Sequence, residues 1–595
     1  MSDRPSRAGL ALVLALLTPG CTTGGEPDVE CDPEHPPPLC AAGLETRCTA
    51  EGRLETRECE HVCVEPRGCL RCEPNAISCA DEHTRAVCSA DGAELALEPC
   101  GEGRRCLAGR CFDPCGEAAA RADYVGCEYW AVPLANPQLG EGFTFAVIVA
   151  NASTFTAQVV VEGGALAEPL VREVAAGATE GIALPWIDEV SQIAAHERGG
   201  RSVLVPGAAY RITSDVPVLV TQWSPLEYRL SHGACGDPLS CYSYTNDASL
   251  LLPAHALGRA YHVTSYLPLA FAPPAGGEGE VTMVGRGAFA VVATSPGRTE
   301  VAVTASAPLE DPDGGRIEAG ETRSFTLEQG AVLELVAAAP RTEEECAPVG
   351  RRRQCASAAL DPTGTRVEAS APVAVFSGHT CAYVPFDRPA CDHLEEQILP
   401  DAVLGRRYVV GRLYPFHERP VPNYLRVLSV ADDNVVRFDP PIHPEVTLDS
   451  GEHVLVEHEE PVIVEGSGPL LVAHLGVGME HSREAPNDEG DPSLVLVPPV
   501  EQWRSTYVFQ VPGTYTSAYA SIVAPADTTI ELDGVPLTTA PVTLGGFAMY
   551  DVALDPEASV HRLEASAPVG LTLHGYAAWT SYSHLGGLSV APLVD

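Results

Sequence analysis

Asp215-Val-Pro217-Val-Leu-Val220, Ala371-Pro372-Val-Ala-Val375, Gly468-Pro469-Leu-Leu-Val472 and Ala567-Pro568-Val-Gly-Leu571 are four versions of one short apolar segment built around a proline. The last three prolines stand 97 and 99 residues apart, a domain-sized period. A second marker keeps step with the first. Leu252-Pro253 leads to Tyr261-His-Val263, Leu399-Pro400 to Tyr408-Val-Val410, and Val497-Pro498 to Tyr507-Val508. Two markers in phase indicate tandem repeats. Between them lie runs such as Thr529-Ile-Glu-Leu-Asp-Gly534 and Ala548-Met-Tyr-Asp-Val-Ala-Leu554, bounded by Gly, Pro and Asp. Their period of two predicts strands. Each proline is read as opening its strand, where no ladder donor is lost. Residues 496–576 hold about seven such runs at turn spacings near ten residues, the strand count of a two-sheet sandwich. The expected fold is all-β: tandem β-sandwich-like repeats at 129–224, 250–378, 398–476 and 496–576 within 128–595. A β-propeller-like arrangement, with two blades per unit, is the alternative.

Ahead of the repeats, residues 31–127 hold fourteen of the 21 cysteines. Cys40-x7-Cys48-Thr-Ala-Glu-Gly-x6-Cys59 is echoed by Cys79-x8-Cys88-Ser-Ala-Asp-Gly-x7-Cys100, each followed by two further cysteines. Segments so short and so poor in large apolar residues need cross-links in place of a core, which predicts two small disulfide knobs. A zinc ribbon using Cys69 and Cys72 is the rival, but no second matched CxxC follows. The remaining candidates fall into near-neighbour pairs: Cys235 and Cys241, Cys346 and Cys355, Cys381 and Cys391. Cys381 and Cys391, flanked by His379 and His393, have a spacing that would also wrap zinc; export favours the disulfide.

Residues 1–21 carry Arg4 and Arg7, an apolar run from Ala8 to Leu17, and then Thr18-Pro19-Gly20-Cys21. This is an export signal whose end resembles the lipobox of bacterial lipoproteins, with Cys21 as the acylated residue and 22–30 as a flexible tether. The apolar run is too short to span a bilayer. The expected location is the cell envelope, lipid-anchored at the outer membrane or cell surface.

The 595-residue chain has a formal charge of −43, a field that repels nucleic acid and anionic lipid, so membrane contact is expected through the anchor alone. All its basic residues are arginine. The absence of lysine removes P-loop phosphate binding and any lysine nucleophile. Acidic loops at Asp311, Asp313 and Glu318, at Asp432 and Asp433, and at Asn487, Asp488, Glu489 and Asp491 offer oxygen ligands to calcium but lack EF-hand order, so no cofactor is expected. GxSxG, HExxH and a free Cys–His pair are absent, and no enzyme is expected. A hydrolase would demand a concave cleft holding mutually hydrogen-bonded titratable groups. Trp130, Trp186, Trp223, Trp503 and Trp579 are read mainly as packing between sheets, with stacking on a ligand as the alternative.

The stretch Pro372-Val-Ala-Val-Phe-Ser-Gly-His-Thr-Cys381-Ala-Tyr-Val-Pro385, continuing through Cys391-Asp-His-Leu-Glu-Glu-Gln397 and Leu399-Pro400 to Gly405-Arg-Arg-Tyr-Val-Val410, resembles the signature of the IgGFc-binding protein N-terminal domain family. The resemblance implies an extracellular binding module. The duplicated cysteine segment has no counterpart in that pattern. The expected function is binding or adhesion to an extracellular protein or glycan through loops of the β domains. A structural envelope spacer and a secreted hydrolase are the alternatives.

Overall fold

Proline placement explains the architecture of the repeats. In the computed structural model, Pro372 lies inside one long strand, Arg366–Ala382, where the partners change. Residues 366–369 pair with Arg298–Thr304, and residues 373–379 pair with Gly287–Ala293. Pro217 and Pro568 hold the same place in the long strands Tyr210–Ser224 and His561–Ala577. Pro469 falls in the gap between Val462–Gly466 and Leu470–Leu475. A residue at the handover between two sheets has no ladder acceptor facing it, so the missing N–H costs nothing. Three of the four prolines are thus mid-strand, and Pro469 alone precedes a strand start.

The structure describes residues 31–34, 40–193, 199–231, 235, 239–273, 282–339, 346–349, 352–355, 357–388, 390–413, 421–479, 489–556 and 560–593; at 346–349 and 352 the backbone alone is described. Contacts divide the chain into Met1–Phe112 and Asp113–Asp595. The regular structure is nearly all strand. Among the described residues two short α-helices, Pro114–Ala120 and Asp188–Ser191, accompany several 3-10 turns. No helix among the described residues is long and apolar enough to cross a membrane.

In the first unit two halves share one plan. Each has a three-stranded sheet and a hairpin: Cys40–Ala41, Leu44–Cys48 and Leu54–Glu58 with Val62–Val64 and Gly68–Leu70, then Ile77–Asp81, Thr84–Cys88 and Leu95–Pro99 with Arg105–Leu107 and Arg110–Phe112. The disulfides repeat as well. Cys31–Cys48, Cys40–Cys63 and Cys59–Cys69 join first to third, second to fifth and fourth to sixth cysteine, as do Cys72–Cys88, Cys79–Cys106 and Cys100–Cys111. Cys69 and Cys72 therefore belong to different knobs. Exposed apolar side chains such as Leu97, 61% exposed, show how little core each half contains.

Among the described residues the second unit contains four layers of two sheets each; in three a long central strand is shared by both sheets, and in the other two successive strands, Val462–Gly466 and Leu470–Leu475, take its place. In the fourth, the N-terminal half of His561–Ala577 pairs with Arg504–Phe509 and Ile530–Leu532, and the C-terminal half with Ser517–Pro525 and Thr580–Leu585. The same connectivity recurs around Tyr210–Ser224, around Arg366–Ala382, and around Val462–Gly466 with Leu470–Leu475. A tyrosine on the leading strand locks each layer. Tyr129 Oη accepts from Gly126 N at 2.6 Å and donates to Val218 O at 2.5 Å. Tyr261 bridges Gly258 N and Val373 O at 2.7 and 2.6 Å, and Tyr507 bridges Arg504 N and Val569 O at 3.0 and 2.5 Å. Tyr408 donates to Leu470 O. The two in-phase sequence markers are thus the two ends of one hydrogen bond, since each acceptor is the residue after the recurring proline.

Neighbouring layers join through the prolines preceding each tyrosine. Pro253, Pro400 and Pro499 each start a 3-10 turn. The third marker is therefore Pro499 rather than Pro498. A Cβ at Gly258 of the second layer would lie 2.5 Å from Pro400 Cβ of the third, so glycine alone permits the approach. The fourth layer returns to the first: Tyr124 Oη bonds both Val508 N and Val508 O, and Arg504 Nη2 meets Asp123 at 3.3 Å. One buried apolar cluster runs through the layers from Leu219 by Val375 and Leu475 to Leu571 and Val590. At about 1.5–3 kcal/mol per large aliphatic side chain, this burial is the main stabilising term.

Candidate binding surface

The strand that leaves each central strand turns inward: Asp247–Leu250, Asp392–Gln397, Leu494–Leu496 and Thr580–Leu585. These four pack against one another. Asp247 sits among them, wholly buried, and accepts N–H groups from all four: Ala248 at 3.0 Å, Glu395 at 3.0 Å, Leu494 at 3.2 Å and Ser583 at 3.2 Å. Because the inner strands converge, so do the loops that feed them. Gly478 N donates to Val384 O at 2.8 Å, Glu489 bridges Ala578, and Asn246 Oδ1 accepts from Thr580 Oγ1 at 3.2 Å.

On this loop face the rings of Tyr242 and Trp579 meet edge to face, with centroids 4.5 Å apart. Tyr244 lies 5.7 Å from Trp579, Tyr228 lies 6.3 Å from Tyr242, and the exposed Arg229 guanidinium covers the Tyr242 ring at 4.8 Å. The four rings are half-buried. Beneath them Tyr228 contacts Tyr515, which with Tyr582 and the fully buried Trp223 forms an aromatic column down to the core. The Cys235–Cys241 disulfide ends immediately before Tyr242. Tyr244 and Trp579 both have φ near +59°, a left-handed conformation unfavourable for a bulky side chain. Such strain is held by surrounding structure and collects at functional sites. Aromatic rings with an arginine cation, partly exposed on a rigid base, form a binding hot spot.

Among the tryptophans, Trp130, Trp223 and Trp503 are buried, whereas Trp186 and Trp579 are half-buried. Sequence reasoning named Trp579 but missed Tyr228, Arg229, Tyr242 and Tyr244. The signal available was a Tyr-Ser-Tyr run directly after a close cysteine pair.

Cys381 and Cys391 are joined in a disulfide, so their sulfurs are not thiolate ligands. His379 accepts Cys381 N at Nδ1, 3.0 Å, and its Nε2 meets Leu267 O at 2.9 Å. Burial drives its pKa down to about 3, so it stays neutral. Cys355 is disulfide-bonded, and Cys346 stands opposite it in backbone register. Asp311 and Asp313 face Arg323 at 3.1 and 3.2 Å, and Glu318 faces Arg316 at 3.6 Å. Asp432 accepts Ser450 N at 3.1 Å, Asp433 N donates to Asp449, and Asp491 is buried. Cys21, Asn487 and Asp488 lie outside the described residues.

Comparison with known proteins gives two findings. The family model described as "IgGFc binding protein" matches residues 247–575. The human IgGFc-binding protein is 27% identical over 350 residues, a stretch covering 57% of this chain and 6% of the human protein. No solved structure matches.

Proposed function

The chain belongs to the IgGFc-binding protein family, and from that premise we propose that it is an exported binding protein that captures an extracellular protein on the Tyr242–Tyr244–Trp579 platform. The observation that carries this is the pair of half-buried aromatics at positive φ beside the Arg229–Tyr242 stack. Strained, pre-positioned rings lose little entropy on binding, and an arginine against their faces adds both cation–π and hydrogen-bonding capacity. In a chain of net charge −43, the Arg229 cation reduces the local repulsion of an acidic partner. The disulfides support an oxidising compartment, and acylation at Cys21 would hold the protein at the envelope.

The test presents immobilised full-length protein to human immunoglobulin Fc, mucin glycoproteins and a glycan array, and repeats each positive with Trp579→Ala and Arg229→Ala. A protein ligand whose affinity falls about tenfold or more in each variant supports the reading. Binding that survives both substitutions, a glycan-only response, or no binder at all overturns it. Cys21→Ser is expected to release the protein from the membrane fraction.

A further inference from the structure

A second place in the molecule meets the demand that a hydrolase makes of a fold. Between the second and third layers opens a cleft of about 670 Å³. At its wall His262, 2% exposed, faces two partners in opposite directions. Its Nδ1 lies 2.9 Å from Asp401 Oδ2 and its Nε2 lies 3.1 Å from Ser450 Oγ. With the proton on Nδ1, donated to Asp401, the Nε2 lone pair accepts the Ser450 hydroxyl, which is the geometry of an activated nucleophile. The three come from separate elements: the leading strand Gly258–His262, the 3-10 turn Asp401–Val403, and the exposed turn before His453–His458.

Two observations argue against a merely structural tie. The layers repeat, yet this trio does not. The residue after the locking tyrosine is Trp130, Val409 or Val508 in the other layers, and the residue after the turn proline is Ala254 or Val500. In addition, Arg366 stands directly opposite His262 in the ladder, so both side chains leave the same sheet face into the cleft.

We propose that Ser450, His262 and Asp401 form an esterase centre acting on short-chain carboxylic esters. Ser450 Oγ attacks the ester carbonyl carbon while its proton passes to His262 Nε2. The Arg366 guanidinium, which also pairs with Glu368 at 2.9 Å, partly offsets the charge developing on the carbonyl oxygen. The carbon–oxygen bond to the alcohol then breaks, and the leaving alkoxide takes the proton from Nε2. Water, deprotonated at Nε2, attacks the acyl carbon, the bond between that carbon and Ser450 Oγ breaks, and Oγ recovers the proton, releasing the acid. Asp401 holds the imidazole tautomer and stabilises the imidazolium. The lining sets the substrate class: Thr304, Ser306, Asp432 and Glu452 are polar, and Val430 is the largest apolar residue among the described lining, which offers no apolar slot for a long acyl chain. This activity goes beyond the binding reading and shares no residue with the platform.

Full-length protein is treated with a fluorophosphonate probe and the modified peptide mapped, and hydrolysis of p-nitrophenyl acetate and p-nitrophenyl octanoate is followed. Modification at Ser450, acetate turned over faster than octanoate, and a loss of about 10²–10⁴-fold in Ser450→Ala and in His262→Gln support the centre. Thermal unfolding of Ser450→Ala at the wild-type temperature separates lost chemistry from lost structure. Absence of label at Ser450, or acetate hydrolysis unchanged in Ser450→Ala, overturns the proposal, and preference for octanoate overturns its substrate class.

Discussion

Asp247 shows how much one side chain does when it is buried among donors. Truncation to alanine leaves four backbone N–H groups of four different strands without their acceptor. At about 1–3 kcal/mol for each stranded group, Asp247→Ala is expected to lower the unfolding free energy by about 3 kcal/mol or more. Asn, which keeps one acceptor oxygen but turns an amide toward donors, should fall between. A denaturant titration placing Asp247→Ala within 1 kcal/mol of wild type would refute the hub. Glu334 behaves differently. Burial, with the Glu395 carboxyl adding to it, pushes its pKa up to about 8 against the N–H of Ala135, which it accepts at 2.9 Å. A folded-state pKa above the unfolded value near 4.3 contributes stability that is full below that value and lost as pH rises toward 8. Glu334→Gln should therefore gain on wild type by up to about 1.4 kcal/mol per pH unit across that window. Chemical denaturation at pH 5 and 8 measures this, and parallel profiles would exclude it. Neither role was legible in the sequence, where Asp247 is one acidic residue among 80 and nothing local states that it lies where four strands meet.

At the scale of elements, the central strand and its tyrosine lock carry the repeat. Tyr261→Phe removes a hydroxyl that both accepts from Gly258 N and donates to Val373 O, and is expected to destabilise by about 1–3 kcal/mol. Tyr507→Phe should behave alike, because its bridge has the same two ends. A calorimetric scan with either variant unfolding as wild type would count against the lock. Much of this was readable: the apolar runs are strands, and the prolines and tyrosines recur because they are bonded to one another. Two details were not. Proline was read as opening a strand because it lacks a donor, but the same lack suits it to a strand's change of sheets, and only pairing partners distinguish the two. Tyr129 also escaped as the lock of the first layer, since no Leu-Pro or Val-Pro pair leads up to it as one does in the other three. The aromatic platform was harder still, because Tyr242 and Trp579 are 337 residues apart in the chain and adjacent in space.

For the whole molecule, the two units rest on different physics. Met1–Phe112 has six described disulfides and little core, whereas the unit from Asp113 has a buried apolar cluster extending from Tyr124 to Val590. Reduction with dithiothreitol should open the first unit to proteolysis while the second stays resistant, since cross-links replace hydrophobic burial only where burial is scarce. Mass mapping of the fragments checks this, and equal digestion of both would contradict it. The family match spans residues 247–575, yet the layer ahead of it, around Tyr210–Ser224, has the same strand connectivity. Shared hydrogen-bond logic therefore extends beyond the stretch where residue identity is recognisable. The return of the fourth layer onto Tyr124 closes the set of layers on itself. An open stack tolerates gain or loss of a copy, because its ends are free; here every copy has a neighbour on both sides and a strand on one shared carboxylate. Adding a copy would open the Tyr124–Val508 junction, and removing one would take a donor away from Asp247.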